Sequence, residues 1–280
     1  MRIERRLARC TAACLALATQ AALAAPPTDP SQVPALRPGV LAGYMAAGSW
    51  VDSLALLPPP PDAGSALQAA DDAAYKNTRQ LKDAARGAQA ARDAVLAFPK
   101  AAEHFQCALG VAISEQATPN LNMLLRRSYV DAGLATYKAK DHYKRQRPFV
   151  VANEATCTPN EEASLRRDGS YPSGHAALGW AWGLILTEVA PERTNAVMQR
   201  AYAYGQSRVI CGVHWQSDVD AGRMVGAAAV AQLHSNADFN QQLALARAEV
   251  AAARSANLAP SLDCAAEAQA LGSAPAGTGK

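Results

Sequence analysis

The chain has 280 residues, enough to bury a substantial core as one large domain or two small ones. Half of it is hydrophobic and 18% is charged, with a mean hydropathy of -0.10, which excludes a disordered or collagen-like polymer. Alanine, the strongest helix former, fills about 65 positions and aromatic residues only 6%, so the composition points to an all-α protein rather than a β-sandwich.

Residues 1–24 read as a secretory signal peptide. Arg2, Arg5, Arg6 and Arg9 precede an apolar stretch from Thr11 to Leu23, and Ala22-Leu23-Ala24 supplies an A-x-A cut. Beyond this leader 23 basic residues balance 23 acidic ones. The pI near 8.5 therefore belongs largely to the leader, and a nucleic-acid partner loses its support. The most apolar later windows, 176–190 and 224–233, fall short of the roughly 20 residues of a membrane span. An exported, periplasmic protein with no membrane anchor is expected. Cys107, Cys157, Cys211 and Cys264 remain after cleavage. An even number in an oxidising compartment favours two disulfides, and no spacing among them resembles a zinc site.

Residues 25–62 are proline-rich, end in Pro58-Pro59-Pro60-Pro61, and are expected to form an extended arm rather than a packed unit. A single compact helical domain, built on a helical-bundle core, should occupy residues 63–257. Its first helix is capped within residues 62–65 and runs to about Phe98, with a break near Gly87, before Pro99 ends it. Further helices are expected at about 100–114 and 120–145. Residues 151–171 read as an irregular loop. Helices follow at about 174–189, 191–206, 208–233 and 238–256, and residues 258–280 form a small, polar tail, tied down only through Cys264. No strand alternation is evident.

Three short segments hold most of the unusual polar residues. In KDHYKRQRP (140–148), Lys140 and Arg147 lie two helical turns apart and could converge on one anion. Alone, this segment reads more readily as a solvated basic helix end than as a site. In GSYPSGHA (169–176), small residues precede an apolar helical run, so Ser173, Gly174 and His175 should present free backbone N–H groups at a helix N-terminus, where anions bind. In SRVICGVHWQSD (207–218), His214 and Asp218 are four apart on one expected helix face. Asp218 could accept the Nδ1 proton of His214 and leave Nε2 nucleophilic, with Arg208 opening the same helix to grip phosphate oxygens. His104, His142 and His234 sit outside these segments, and surface or helix-end roles are expected. Core packing is expected for Trp180, Trp182 and Trp215.

Together the segments resemble the three-part motif of the type-2 phosphatidic-acid phosphatase superfamily: Lys, six residues, Arg-Pro; Pro-Ser-Gly-His; and Ser-Arg, five residues, His, three residues, Asp. The Gly-Ser-Tyr prefix, DSLALLPPPP at 52–61 and ICGVHWQSDVDAGR at 210–223 are similar to the class A bacterial non-specific acid phosphatases. The resemblance covers roughly residues 35–255, and Ala176 stands where many members of that class have threonine. It implies that Lys140, Arg147 and Arg208 bind phosphate oxygens, joined by Ser173 and Gly174. It also implies His214 as nucleophile, Asp218 as its orienting partner and His175 as general acid and then base. The substrates would be small phosphomonoesters of broad range, with no metal and no other cofactor. The resemblance further suggests the pairings Cys157–Cys211 and Cys107–Cys264.

Four other readings compete. A metallohydrolase using His175, His214 and Asp218 as ligands would set a divalent ion against three converging cations. A vanadium-dependent haloperoxidase shares the pocket residues, but the Gly-Ser-Tyr prefix and compact length favour a phosphatase. A lipid phosphatase would want spanning helices. A non-enzymatic phosphate-binding protein needs the cations but not a His214–Asp218 pair with a second histidine. The sequence leaves a homodimer or higher homo-oligomer open.

Overall fold

The structure, a computed structural model, describes residues 25–272. The expected signal peptide, residues 1–24, lies outside them. A short antiparallel hairpin of β1 (Ala35–Arg37) and β2 (Val40–Leu41) comes first. Fourteen α-helical elements follow among the described residues: α1 (Ser53–Leu56), α2 (Ala66–Arg79), α3 (Ala85–Arg92), α4 (Lys100–Glu103), α5 (Gln106–Leu109), α6 (Pro119–Leu134), α7 (Tyr137–Tyr143), α8 (Pro148–Ala152), α9 (Glu162–Leu165), α10 (Gly174–Val189), α11 (Thr194–Ile210), α12 (Gln216–Leu233), α13 (Ala237–Ser255) and α14 (Cys264–Leu271). The protein is all-α apart from the hairpin. No helix among the described residues is long and apolar enough to cross a membrane.

α10 is apolar over most of its circumference and so takes the centre, with α6, α11, α12 and α13 packed around it. Its Trp182 is fully buried, meets Phe98 and Phe105 edge-on, and donates Nε1–H to the Leu125 carbonyl at 3.0 Å. Two glycines one turn apart on α12 let α10 approach closely. A Cβ at Gly222 would collide with the Ser173 carbonyl oxygen, and one at Gly226 with that of Ala177. This contact fixes the N-terminus of α10, where the Pro-Ser-Gly-His segment lies.

Several helix boundaries differ from expectation, each for a local reason. The break in the first long helix falls at residues 80–84. Gly87 lies inside α3, where a Cβ would overlap the Lys82 carbonyl. The helix expected at 100–114 is divided between α4 and α5 and stops at Gly110, which takes a left-handed φ of 82°. The helix expected at 120–145 divides between α6 and α7 and ends where Lys144 adopts φ 45°. α11 runs through Arg208 to Ile210, and α12 starts only at Gln216. There the Asp218 carboxylate accepts the Trp215 backbone N–H at 2.8 Å and defines the helix start.

The segment 25–62 is not a free extended arm: it carries the hairpin and α1 and packs against the helices. Val33 and Leu41 are buried with Met123, and the Asp131 carboxylate of α6 accepts the backbone N–H groups of Tyr44 and Met45 and the Trp50 indole N–H. Cys264–Leu271, expected within a small polar tail at 258–280, form α14, and residues 273–280 lie outside the described residues. Cys107–Cys264 and Cys157–Cys211 are paired, with Cα separations of 5.3 and 4.8 Å.

Candidate functional site

Lys140, Arg147, Gly174, His175, Arg208 and His214 line one cavity of about 300 Å³. They come from five places in the chain, and the routes differ from the helical-face argument. Lys140 is in the last turn of α7 and Arg147 precedes α8. The left-handed turn at Lys144 brings them together, not a shared helix face. Arg208 is in the last turn of α11, and His214 lies in the turn before α12. Asp218 is therefore its partner across a helix start. Ser173 and Asp218 stand fully buried just behind the cavity wall.

Hydrogen bonding fixes the tautomer of His214. Arg147 Nη1 lies 3.0 Å from Nε2, and a guanidinium only donates, so Nε2 carries a lone pair. The proton is then on Nδ1, which faces Asp218 Oδ2 at 3.4 Å and Ser170 Oγ at 3.5 Å. Burial first, and then Arg147, Lys140 and Arg208, hold the His214 pKa well below the ordinary histidine value. It is a buried neutral imidazole. Asp218 is itself pinned by Arg145 Nη1 at 2.7 Å, by the Trp215 N–H and by the Ser170 hydroxyl. Arg145 also pairs with Asp71 at 2.8 Å.

His175 donates from Nε2 to the Ala94 carbonyl at 3.1 Å, which leaves Nδ1 as the nitrogen free to gain or lose a proton. Burial and then Arg208 keep its pKa well below the ordinary value. Arg208 is fully buried, and its Nε and Nη1 have no hydrogen-bond partner. Burial lowers its pKa to about 10. A buried guanidinium with unpaired N–H groups is costly, and an anion in the cavity would satisfy it. Lys140 donates to the Gly169 carbonyl at 2.6 Å, and burial followed by Arg147 lowers its pKa to about 8. The N-terminus of α10 offers fewer donors than expected. The Ser173 N–H is taken by the Asp218 carbonyl at 2.9 Å, so only Gly174 and His175 present first-turn N–H groups. The Ser173 Oγ caps the helix by accepting the Ala176 N–H.

Sequence reasoning missed the supporting residues. Arg145 and Ser170 lay inside the motif segments but at positions given no role. Asp168 and the Asp93–Ala94 backbone carried no local signal. His104 takes a helix-end place, capping the C-terminus of α4, but it is buried there, with Nε2 on the Val95 carbonyl and its ring against Tyr204. His234 caps the end of α12 as expected and His142 is exposed. Trp182 and Trp215 are buried, whereas Trp180 is only partly so. Among the described residues no group of three or more His, Cys, Asp or Glu side chains is placed to hold a metal ion.

The family model of the PAP2 superfamily matches residues 122–241, which include every candidate site residue. The chain is 49% identical over 209 residues to a non-specific acid phosphatase of Providencia stuartii, covering 74% of this chain and 84% of that one. It is 43% identical over 201 residues to a non-specific acid phosphatase of Salmonella typhimurium, covering 71% and 80% of the two chains. An acid phosphatase of Zymomonas mobilis is 40% identical over 213 residues, with 75% and 79% covered. Identity at this level across most of both partners accounts for the fold and the whole constellation at once: the chain belongs to the PAP2 superfamily, among the non-specific acid phosphatases.

Proposed function

We propose that the protein is an exported, periplasmic acid phosphatase that hydrolyses phosphomonoesters of broad range through a phosphohistidine on His214, without a metal ion. One observation carries this reading. Arg208, buried with two of its nitrogens unpaired, lines the same cavity as a neutral His214. An anion-binding protein would use the first; only nucleophilic chemistry uses the second.

In this mechanism Lys140, Arg147 and Arg208 grip the phosphoryl oxygens, with the N–H groups of Gly174 and His175 and the Ser173 hydroxyl adding to them. Phosphoryl transfer needs in-line positioning and charge neutralisation, which fixed cations at a helix N-terminus supply. Nε2 of His214 forms a bond to phosphorus as the ester P–O bond breaks. The growing positive charge on the ring is met at Nδ1 by Asp218 and Ser170. The departing alkoxide takes a proton from Nδ1 of His175. Burial and then the Arg208 charge depress His175, and the anionic substrate offsets the second of these, which favours the protonated acid in the complex. Water then attacks the phosphohistidine, giving its proton back to His175, and inorganic phosphate leaves. The cavity's donor set is cationic and suits an oxyanion better than a divalent metal.

A panel of phosphomonoesters assayed across pH tests the reading. Activity should persist in EDTA and be blocked by vanadate, which mimics the five-coordinate transition state. An alkaline denaturing quench during turnover should trap phosphate on His214, because the P–N bond of a phosphohistidine is labile in acid and stable in base. Loss of activity on chelation, restored by a divalent ion, would overturn the metal-free mechanism.

A further inference from the structure

Asp168 has no part in that mechanism, yet its carboxylate stands between two of the cavity's cations. Oδ2 accepts from Arg147 Nη2 at 2.9 Å and lies 3.6 Å from Lys140 Nζ. The side chain is 36% exposed and lines the cavity. Its backbone is anchored, because Arg147 Nε also donates to the Asp168 carbonyl at 3.2 Å. The groups around it are Lys140 and Tyr137 from α7, Arg147 before α8, His175 from α10, Arg208 from α11, His214 before α12 and Arg37 from the hairpin. Asp218 lies behind His214, and Arg166 and Arg167 flank Asp168 in its own segment.

A phosphoester bound among these cations meets one carboxylate. The ester dianion has only acceptor oxygens, which Asp168 repels. The monoanion carries a P–OH, a donor that a carboxylate accepts. We propose that Asp168 is a specificity-determining residue that makes the cavity select the monoanion of the phosphomonoester by accepting a hydrogen bond from its P–OH. This rests on the reading of the cavity as a phosphomonoester site. Phosphate monoesters lose their second proton near pH 6. Selection of the monoanion therefore confers an acid preference through the substrate's own titration.

Asp168→Asn tests the proposal, because it keeps the shape and an acceptor for Arg147 while removing the charge. Two readouts are compared from pH 4.5 to 7.5, where Lys140, with a pKa of about 8, stays mostly protonated. The first is kcat/KM for phenyl phosphate. The second is calorimetric binding of sulfate, which has two charges and no proton throughout. The variant should bind sulfate about tenfold more tightly at every pH, the effect of one like charge removed. Its kcat/KM should fall at pH 5 and rise about tenfold at pH 7.5, moving the alkaline limb upward. An unchanged alkaline limb, or losses equal for sulfate and ester at all pH values, would overturn the proposal and leave Asp168 as a support for Arg147. If the wild-type protein binds no sulfate and cleaves no ester, the phosphate-site reading fails first and the proposal with it.

Discussion

His214 and His175 are both buried, and both are kept neutral by burial and nearby guanidinium groups, but their hydrogen bonds give them opposite work. Arg147 donates to Nε2 of His214, which marks that nitrogen as a lone pair, whereas Nε2 of His175 is spent on the Ala94 carbonyl. The difference is testable by leaving group. His214→Ala should abolish turnover of every ester. His175→Ala should slow an alkyl phosphate by on the order of 100- to 10,000-fold, because its alkoxide cannot leave unprotonated. A nitrophenyl ester departs without a proton, so its phosphorylation step should survive while water attack still lacks a base. A burst of nitrophenol with a phosphoenzyme accumulating at His214 is the expected trace. Equal losses for both esters in His175→Ala, with no trapped phosphoenzyme, would reverse the assignment of roles.

At the scale of elements, the sequence announced which segments meet but not how. Helix α10 was legible from end to end, because an apolar run follows a Ser-Gly start and stops at Pro191. The spacing of His214 and Asp218 suggests a helix face, yet the pair is joined across a helix start. Asp218 caps that start, so one carboxylate ends the turn and orients the ring. The Lys140–Arg147 spacing suggests two helical turns, but a non-glycine left-handed residue, Lys144, reverses the chain between them. Asp168, Arg145 and Ala94 could not be found locally, since their roles arise only when distant segments pack. The arm shows the same kind of tertiary effect. Asp131 accepts three N–H groups from residues 44–50, yet burial outweighs them and raises its pKa to about 6. A carboxyl raised in the fold adds stability that is fully present below about pH 4 and is lost as pH rises through 6. Urea unfolding of the wild type should thus show a decline of up to about 3 kcal/mol across that window from this group. Asp131→Asn should flatten the decline; an identical pH dependence in the variant would place its source elsewhere.

Across the whole molecule, the C-terminal helix is wired to the buried side of the site. Cys264 ties α14 to Cys107, and Glu267 on α14 meets Arg200 Nε at 3.4 Å. Arg200 pairs with Asp93 at 2.5 Å, and this guanidinium holds the Asp93 carboxyl below the usual range in spite of its complete burial. Ser207, next to Arg208, also donates to Asp93, and the following residue, Ala94, supplies the carbonyl that anchors His175. Two substitutions separate the links of this chain. Asp93→Ala leaves buried Arg200 without its main partner and should cost about 3–5 kcal/mol, the scale for breaking a buried pair. It should also lower kcat, because the Ala94 carbonyl loses its fixed position under His175. Glu267→Gln removes only the outer, longer contact, so a cost near 1 kcal/mol and an unchanged kcat are expected. Urea melts paired with steady-state kinetics on an alkyl phosphate read both effects. If Glu267→Gln lowers kcat as much as Asp93→Ala does, the anchor of His175 extends into α14, and the C-terminal disulfide becomes part of the catalytic support rather than of the fold alone.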